Sequence, residues 1–275
     1  MTSRKPTKIN QVLQKWPRGT VATQEWLNRM GVSSKLANWH VKSGWLVRFG
    51  ARAFAQSGDR VDWLGGLYAL QTQLGMSIHV GARTALELHG RSHFVPLGRE
   101  KSVMLISDQP EQLPAWFRNH QWEADLGHSC LSLFKRIADK AITKLDCGGF
   151  EVIMSSAERA VMEQMRKARS NADIKHAYQL MEGLSTLRPY LVQELLENCR
   201  SVKVKRFFLW SAEKAGHDWF GRLESSRVDL GKGKRQIYKG GQFNKKYQIT
   251  VPQREELPGV CSPGFPGIFT FSSEP

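Results

Sequence analysis

The chain lacks the marks of a secreted, metal-bound or membrane-embedded protein. Its four cysteines, Cys130, Cys147, Cys199 and Cys261, are far apart, with no CxxC pair among 275 residues. Such spacing argues against a zinc site or a disulfide framework and for reduced thiols. No apolar run approaches the ~20 residues that cross a bilayer. Met1 to Pro6 carry no apolar stretch of the secretory kind, so a cytoplasmic protein is expected. Acids are scarce in two places. Between Met1 and Arg60 there are two, Glu25 and Asp59, against eleven lysines and arginines. Between Arg200 and Thr250 there are four against thirteen, whereas Val61 to Cys199 is near neutral, with fifteen bases and sixteen acids. The net charge of +15 therefore sits at the two ends. An excess of that size attracts polyanions. No basic amphipathic helix is present to favour a membrane surface, which leaves nucleic acid as the partner class.

What is there begins with a compact pattern. Ile9, Val12, Leu13 and Trp16 fall at helical spacing before Pro17, which stops the helix. Thr23 is a cap for a short helix over Gln24 to Met30, and Gly31 supplies the tight turn. Ser33 or Ser34 caps a third helix over Lys35 to Ser43, ended at Gly44. Lys35, Asn38, Trp39 and Lys42 share one face of it, and Leu36, Ala37, His40 and Val41 the other. Trp45–Phe49 and Ala51–Ala55 alternate around Gly50 as a hairpin. This is a winged helix-turn-helix over residues 1–60. Its expected contacts to double-stranded DNA are Lys5, Lys8, Ser33, Ser34, Lys35, Asn38, Trp39 and Lys42, with Arg48 and Arg52 from the wing. The plainer alternatives are a solvated basic face, and core packing for Trp39 and His40.

The turn Ser57-Gly58-Asp59 ends that unit. Beyond it, helices are expected over Trp63–Leu74, Thr84–Leu88, Leu113–His120, from Ser155 or Ser156, over Ile174–Glu182, Pro189–Glu197 and Val204–Ala215. Strands are expected at Ile78–Val80, Val103–Ile106, Leu131–Phe134 and Phe150–Met154, with strands and turns from Arg222 to Val251. The fold class is thus α+β or mixed α/β: the winged module, then a larger mixed α/β domain over 61–252. Each side of the turn has apolar residues for its own small core. Residues 253–275 carry Pro258-Gly, Pro263-Gly and Pro266-Gly and form an irregular tail.

Catalytic signals are thin. His89 and His93 stand four apart, but Gly90 interrupts the helix and no third ligand is near. Gly231-Lys-Gly-Lys-Arg235 lacks the following Ser/Thr of a phosphate loop. Glu158 completes a capping box with Ser155, and Glu163 lies on a helix surface. No nucleophile elbow or Cys/His dyad stands out, so no enzyme activity, metal or cofactor is expected.

Several strings carry a family resemblance. They are His79-Val-Gly-Ala-Arg-Thr-Ala-Leu-Glu-Leu-His-Gly90 with His93-Phe94, Ser155-Ser-Ala-Glu-Arg-Ala160, and Leu184-x-x-Leu-Arg-Pro189. Ser201-Val-Lys-Val-Lys-Arg206, Asp229-Leu-Gly-Lys-Gly-Lys-Arg235 and Lys245-Lys-Tyr-Gln-Ile-Thr-Val-Pro252 continue the series. With the winged module they cover roughly nine tenths of the chain, and they resemble the AbiEi antitoxins of abortive-infection systems. The tail from Gln253 departs from that pattern. The resemblance implies an antitoxin of a type IV toxin–antitoxin system that represses its own operon at inverted repeats. One winged module covers one half-site, so a monomer or weak dimer that pairs on DNA is expected. The resemblance also implies a nucleotidyltransferase toxin as opponent, countered without a stable complex. The second basic block, Lys203, Lys205, Arg206, Lys232, Lys234 and Arg235, is then an antitoxin-domain surface for another anionic partner, RNA or an acidic protein face, with a merely solvated basic turn as the alternative for Lys232, Lys234 and Arg235. The alternatives are a stand-alone winged-helix regulator with a sensing or oligomerising domain, and a nucleic-acid-acting enzyme.

Overall fold

The computed structural model describes residues 8–90, 102–253 and 256–257. The chain opens with α1 (Lys8–Lys15), whose Ile9 and Val12 turn inward with Trp16 just beyond. Then come β1 (Ala22–Thr23), α2 (Gln24–Arg29) and α3 (Ser34–Lys42). The Thr23 hydroxyl accepts from the Trp26 N–H at 3.2 Å and caps α2. Gly31 takes φ +80° in the turn, and Ser33 caps α3 by accepting from the Leu36 N–H at 3.3 Å. The wing is β2 (Leu46–Gly50) with β3 (Ala53–Gln56), antiparallel, and β1 pairs on the far side of β3. The sequence places the turn at Gly50, but Gly50 faces Ala53 and Ala51-Arg52 form the loop. Gly50 is needed for another reason: a Cβ there would lie 2.8 Å from the Trp116 Cβ.

The larger region continues with α4 (Trp63–Thr72), β4 (His79–Val80), α5 (Ala82–Leu88), β5 (Ser102–Ser107), α6 (Ala115–Arg118), β6 (Asp125–Cys130), β7 (Ile142–Asp146) and β8 (Glu151–Ser155). The five strands form one mixed sheet in the order β6-β5-β4-β8-β7. A helical layer follows: α7 (Ala157–Lys167), α8 (Asn171–Glu182), α9 (Pro189–Asn198) and α10 (Val202–Ala215). A small sheet closes the described part: β9 (Arg235–Gln236), β10 (Gln242–Asn244) and β11 (Ile249–Val251), in the order β10-β11-β9. No helix among the described residues is long and apolar enough to cross a membrane.

Several boundaries differ from those the sequence predicts. The sheet includes β6 and β7, which the apolar pattern does not announce, because Asp125–Cys130 and Ile142–Asp146 are largely half-buried edge strands. Leu131–Phe134 is a loop, held by a lone bridge between Phe134 and Cys199. The helix expected over Leu113–His120 shrinks to α6. Ser155 ends β8, and Ser156 caps α7 by accepting from the Arg159 N–H. The capping box belongs to α8 instead, where Ser170 and Asp173 exchange hydrogen bonds.

Two apolar clusters run through the described residues. The smaller joins Val12, Trp16, Leu27, Ala37, Leu46 and Phe54 inside the N-terminal unit. The larger runs from α4 through the sheet and the helical layer, and it also includes Val21 and Ala53 from the N-terminal side. The turn at Gly58 is thus bridged by packing. The Gln73 amide fastens the joint, donating to the Val21 carbonyl at 2.8 Å and accepting from the Thr23 N–H at 2.8 Å. Arg29 Nη2 adds a hydrogen bond to the Gln73 carbonyl at 2.6 Å.

Candidate nucleic-acid interface

The third helix presents the face that its spacing predicts. Ser33, Ser34, Lys35, Asn38, Trp39 and Lys42 are exposed, whereas Ala37 and His40 are buried and Leu36 and Val41 half-buried. Trp39 is 57% exposed, so the core reading of this tryptophan does not hold, while that of His40 does. Burial lowers the His40 pKa and keeps this imidazole neutral beneath the helix. Its ring meets Trp39 edge-on, with centroids 5.0 Å apart.

The wing supports this face. Arg48 donates to the Asn38 Oδ1 at 2.5 Å, and its guanidinium lies 5.6 Å from the Phe54 ring centroid. That bond orients the Asn38 amide and leaves its N–H donors and a second lone pair free, as a bidentate contact to adenine requires. Arg52 stands at the wing tip with φ +61° and pairs with Glu25 at 3.1 Å, both side chains largely in solvent. Lys8 lies in α1, but its side chain and all of Lys5 fall outside the described residues.

The sequence does not foresee that the wing is clamped. Phe49 stacks on His120 with centroids 4.3 Å apart and also meets Trp116 and Trp122 at 6.2 and 5.7 Å. The wing and the larger region are therefore one packed body at this point. The available signal was the aromatic density of Trp116, Phe117 and Trp122, which a helical reading of Leu113–His120 obscured.

The second basic block is not the surface that its charge implies. Arg206 is 2% exposed. Its guanidinium donates to four backbone carbonyls: Leu230 at 2.8 Å, Gly233 at 2.6 Å, Gln248 at 3.1 Å and Gly231 at 3.0 Å. Lys205 is 4% exposed, and Lys203 is half-buried with its ammonium on the Ala168 carbonyl at the end of α7. These three residues leave the candidate surface because α10 turns them inward. Lys232, Lys234 and Arg235 are exposed, as expected.

Two carboxylates are also placed differently. Glu163 is buried: the Ser155 hydroxyl donates to it at 2.9 Å, Arg159 Nε at 2.7 Å and the Ala82 N–H at 2.9 Å, with His79 Nε2 at 3.1 Å. Burial raises its pKa, but Arg159 and His79 outweigh that and hold it lowered. Glu158 is no cap. It receives Arg188 Nε and Nη2, each at 2.9 Å, and its pKa falls to about 2 because those bonds override the opposing effect of burial. Both networks tie α7 to its neighbours. His89, read as half of a weak metal pair, sits 3.0 Å from the Ser155 carbonyl, and His93 lies outside the described residues.

Comparison with known proteins agrees with this architecture. The crystal structure of the RV2827C protein from Mycobacterium tuberculosis superposes with a TM-score of 0.55, over 91% of this chain and 93% of that one, at 14% identity. That likeness shows a shared fold. No curated protein matches the sequence. A family model described as an AbiEi antitoxin N-terminal domain of transcriptional regulators matches residues 5–97. A second, described as a transcriptional regulator, AbiEi antitoxin, of type IV toxin–antitoxin systems, matches residues 100–252. The chain belongs to the AbiEi antitoxin family.

Proposed function

We propose that the chain represses its own operon by placing α3 in the major groove of inverted repeats, and that it counters a nucleotidyltransferase toxin encoded beside it. The observation that carries the DNA half is the exposed face of α3, where Lys35, Asn38, Trp39 and Lys42 lie together beside Arg48. A helix of that width fits the groove, its ammonium groups meet phosphates, and its amide is pre-oriented for a base edge. One winged unit covers one half-site, so two chains bind one operator, as monomers or a weak dimer that pairs on the DNA. The reading requires no catalytic group, metal or cofactor. The domain spanning 61–252 supplies the antitoxin activity and holds the wing through Trp116 and Trp122, and the protein works in the cytoplasm.

The test is a titration of labelled promoter DNA with the full chain. Binding of two chains to an inverted repeat, lost in Lys35→Ala/Lys42→Ala, is the expected result. One chain on an unrepeated site, or a variant that binds as well as the parent, would refute it. The antitoxin half is read separately, as growth rescue on co-expression with the neighbouring toxin gene.

A further inference from the structure

The second basic block holds a cleft that the reading face does not use. Residues 231–246 carry Lys232, Lys234, Arg235, Lys239, Lys245 and Lys246, all exposed, and no acid. The sheet gathers several of them: Arg235 faces Ile249, which faces Asn244, so Arg235 and the Lys245-Lys246 turn share one end. Like charges held this close repel one another, and a free loop would relax away. This one is fixed, because the buried Arg206 guanidinium grips the carbonyls of Leu230, Gly231, Gly233 and Gln248. Local arrangements that work against stability are the expected marks of a binding site.

Beside the sheet, between α10 and β10–β11, lies an open cleft of about 400 Å³. Trp210, Phe243, Gln242, Asn244, Lys214 and Lys245 line it. Glu213 also lines it and is engaged by the Lys246 ammonium, and Lys234 Nζ lies 5.2 Å from the Phe243 ring centroid. The half-buried Phe243 ring, side-chain amides and lysines around one concavity are the chemistry of an unstacked base: the ring stacks, an amide meets a base edge and ammonium groups meet phosphates. A duplex has no free base to offer such a cleft. A protein partner needs acids to match the lysines but does not call for a base-sized hollow with a ring on its wall.

We infer that this cleft and the cationic sheet beside it bind a single-stranded nucleic acid, with a base against Phe243 and phosphates on Lys232, Lys234, Arg235 and Lys245. The site is separate from the operator-reading face and stands whether or not that reading holds.

Anisotropy titrations of the full chain with short labelled single-stranded RNA, single-stranded DNA and operator duplex test it. Lys232→Ala/Lys234→Ala/Arg235→Ala should weaken single-strand binding by about tenfold or more and lower its salt slope by about two, at ~0.7 per phosphate. Phe243→Leu should weaken it severalfold with the slope unchanged, because stacking carries no counterion release. Both should leave duplex binding within about twofold, whereas Lys35→Ala/Lys42→Ala should do the reverse. Urea midpoints confirm that each variant is folded; the triple variant changes only exposed side chains. Binding of RNA over single-stranded DNA would identify RNA as the ligand, and equal binding would support the cleft for either strand. Unchanged single-strand binding in the folded triple variant overturns the inference. So does capture of the toxin protein by the parent but not by the triple variant, with no single-strand binding in either.

Discussion

The two basic blocks look alike in sequence and are placed differently in the fold. Met1–Arg60 and Arg200–Thr250 each carry a net charge of +9, from eleven bases over two acids and thirteen over four. On α3 and the wing, Lys35, Lys42, Arg48 and Arg52 stand in solvent. On α10, Lys205 and Arg206 turn into the core, and Arg206 satisfies the carbonyls of a loop 24 to 42 residues away. The difference arises from what each helix packs against. The third helix is short and covers only one side of a small core, so its second face is free. The α10 helix buries nine of its residues and lies under the cationic loop, so even its charged positions are enclosed. Charge density reports attraction to anions only where the helix keeps a free face.

The largest expected effect tests this contrast. Replacing Arg206 with Leu takes its donors from the Leu230, Gly231 and Gly233 carbonyls, and stranding a buried acceptor costs about 1–3 kcal/mol apiece. Lys42→Ala, on an exposed face, should change stability by less than about 0.5 kcal/mol. Urea unfolding of both variants decides it. Similar small losses would mean that Arg206 is as dispensable as a surface cation.

The wing joint is the next point at which the comparison can break. Gly50→Ala would place a Cβ 2.8 Å from the Trp116 Cβ, and overpacking of a filled contact costs about 1–3 kcal/mol. The same urea experiment measures it. A neutral result would show that the wing slides on α6 and that the reading face is not fixed to the larger domain. The joint also bears on a chain trimmed to begin near Val61. Such a fragment loses Val21 and Ala53 from the large cluster and leaves the Gln73 amide without its partners.

Sequence alone showed the N-terminal unit almost element by element, because caps, periodicity and glycine turns there act locally. Thr23, Gly31 and Ser33 each do what their residue type dictates. The larger region was less legible where partners come from far away. Glu158 has the spacing of a capping residue, yet its partner is Arg188, thirty positions on. Glu163 has helix-surface spacing, yet His79 and the Ala82 N–H meet it from α5 and the strand before it. No local pattern encodes those pairings, nor the stack of Phe49 on His120. On the candidate interface, spacing gave the face of α3 but not the Asn38–Arg48 bond, which depends on hairpin register.

Acid stability offers a measurable consequence of the Glu158–Arg188 pair. The folded pKa is depressed from 4.5 to about 2, so the pair stabilises the fold above pH 4.5 and loses that contribution as pH falls toward 2. Arg188→Met should therefore lower stability at neutral pH and flatten its decline over that window. A parallel decline in parent and variant would show that the carboxylate is not held by the arginine. Nothing equivalent is expected on the α3 face, where no carboxylate is buried.

Within the reading face, base and phosphate contacts should separate. Asn38→Ala should cost about 1–3 kcal/mol at the operator while sparing random duplex, because only the operator offers the matched base edge. The Arg48 bond adds a refinement. Arg48→Ala frees the amide to rotate, so it should lose operator preference as well as one phosphate contact. Equal losses on operator and random DNA for Asn38→Ala would reduce that residue to a spacer.

The smallest effect is the most direct comparison of the two blocks. Lys42 is exposed at the end of α3, and its replacement by Ala should weaken binding to every duplex alike. Each phosphate neutralised contributes about 0.9 to the slope of log affinity against log salt on B-DNA, so the slope should fall by about one. Lys239→Ala removes another exposed lysine, from the second block, and should leave the duplex slope where it was. The pair of titrations needs no unfolding and no operator sequence, since counterion release is blind to bases. If both variants lower the slope by the same amount, the duplex touches both ends of the chain and the two blocks form one electrostatic surface. If only Lys42→Ala does so, the ends serve different anions, as the inward turn of Arg206 and the cleft beside Phe243 require.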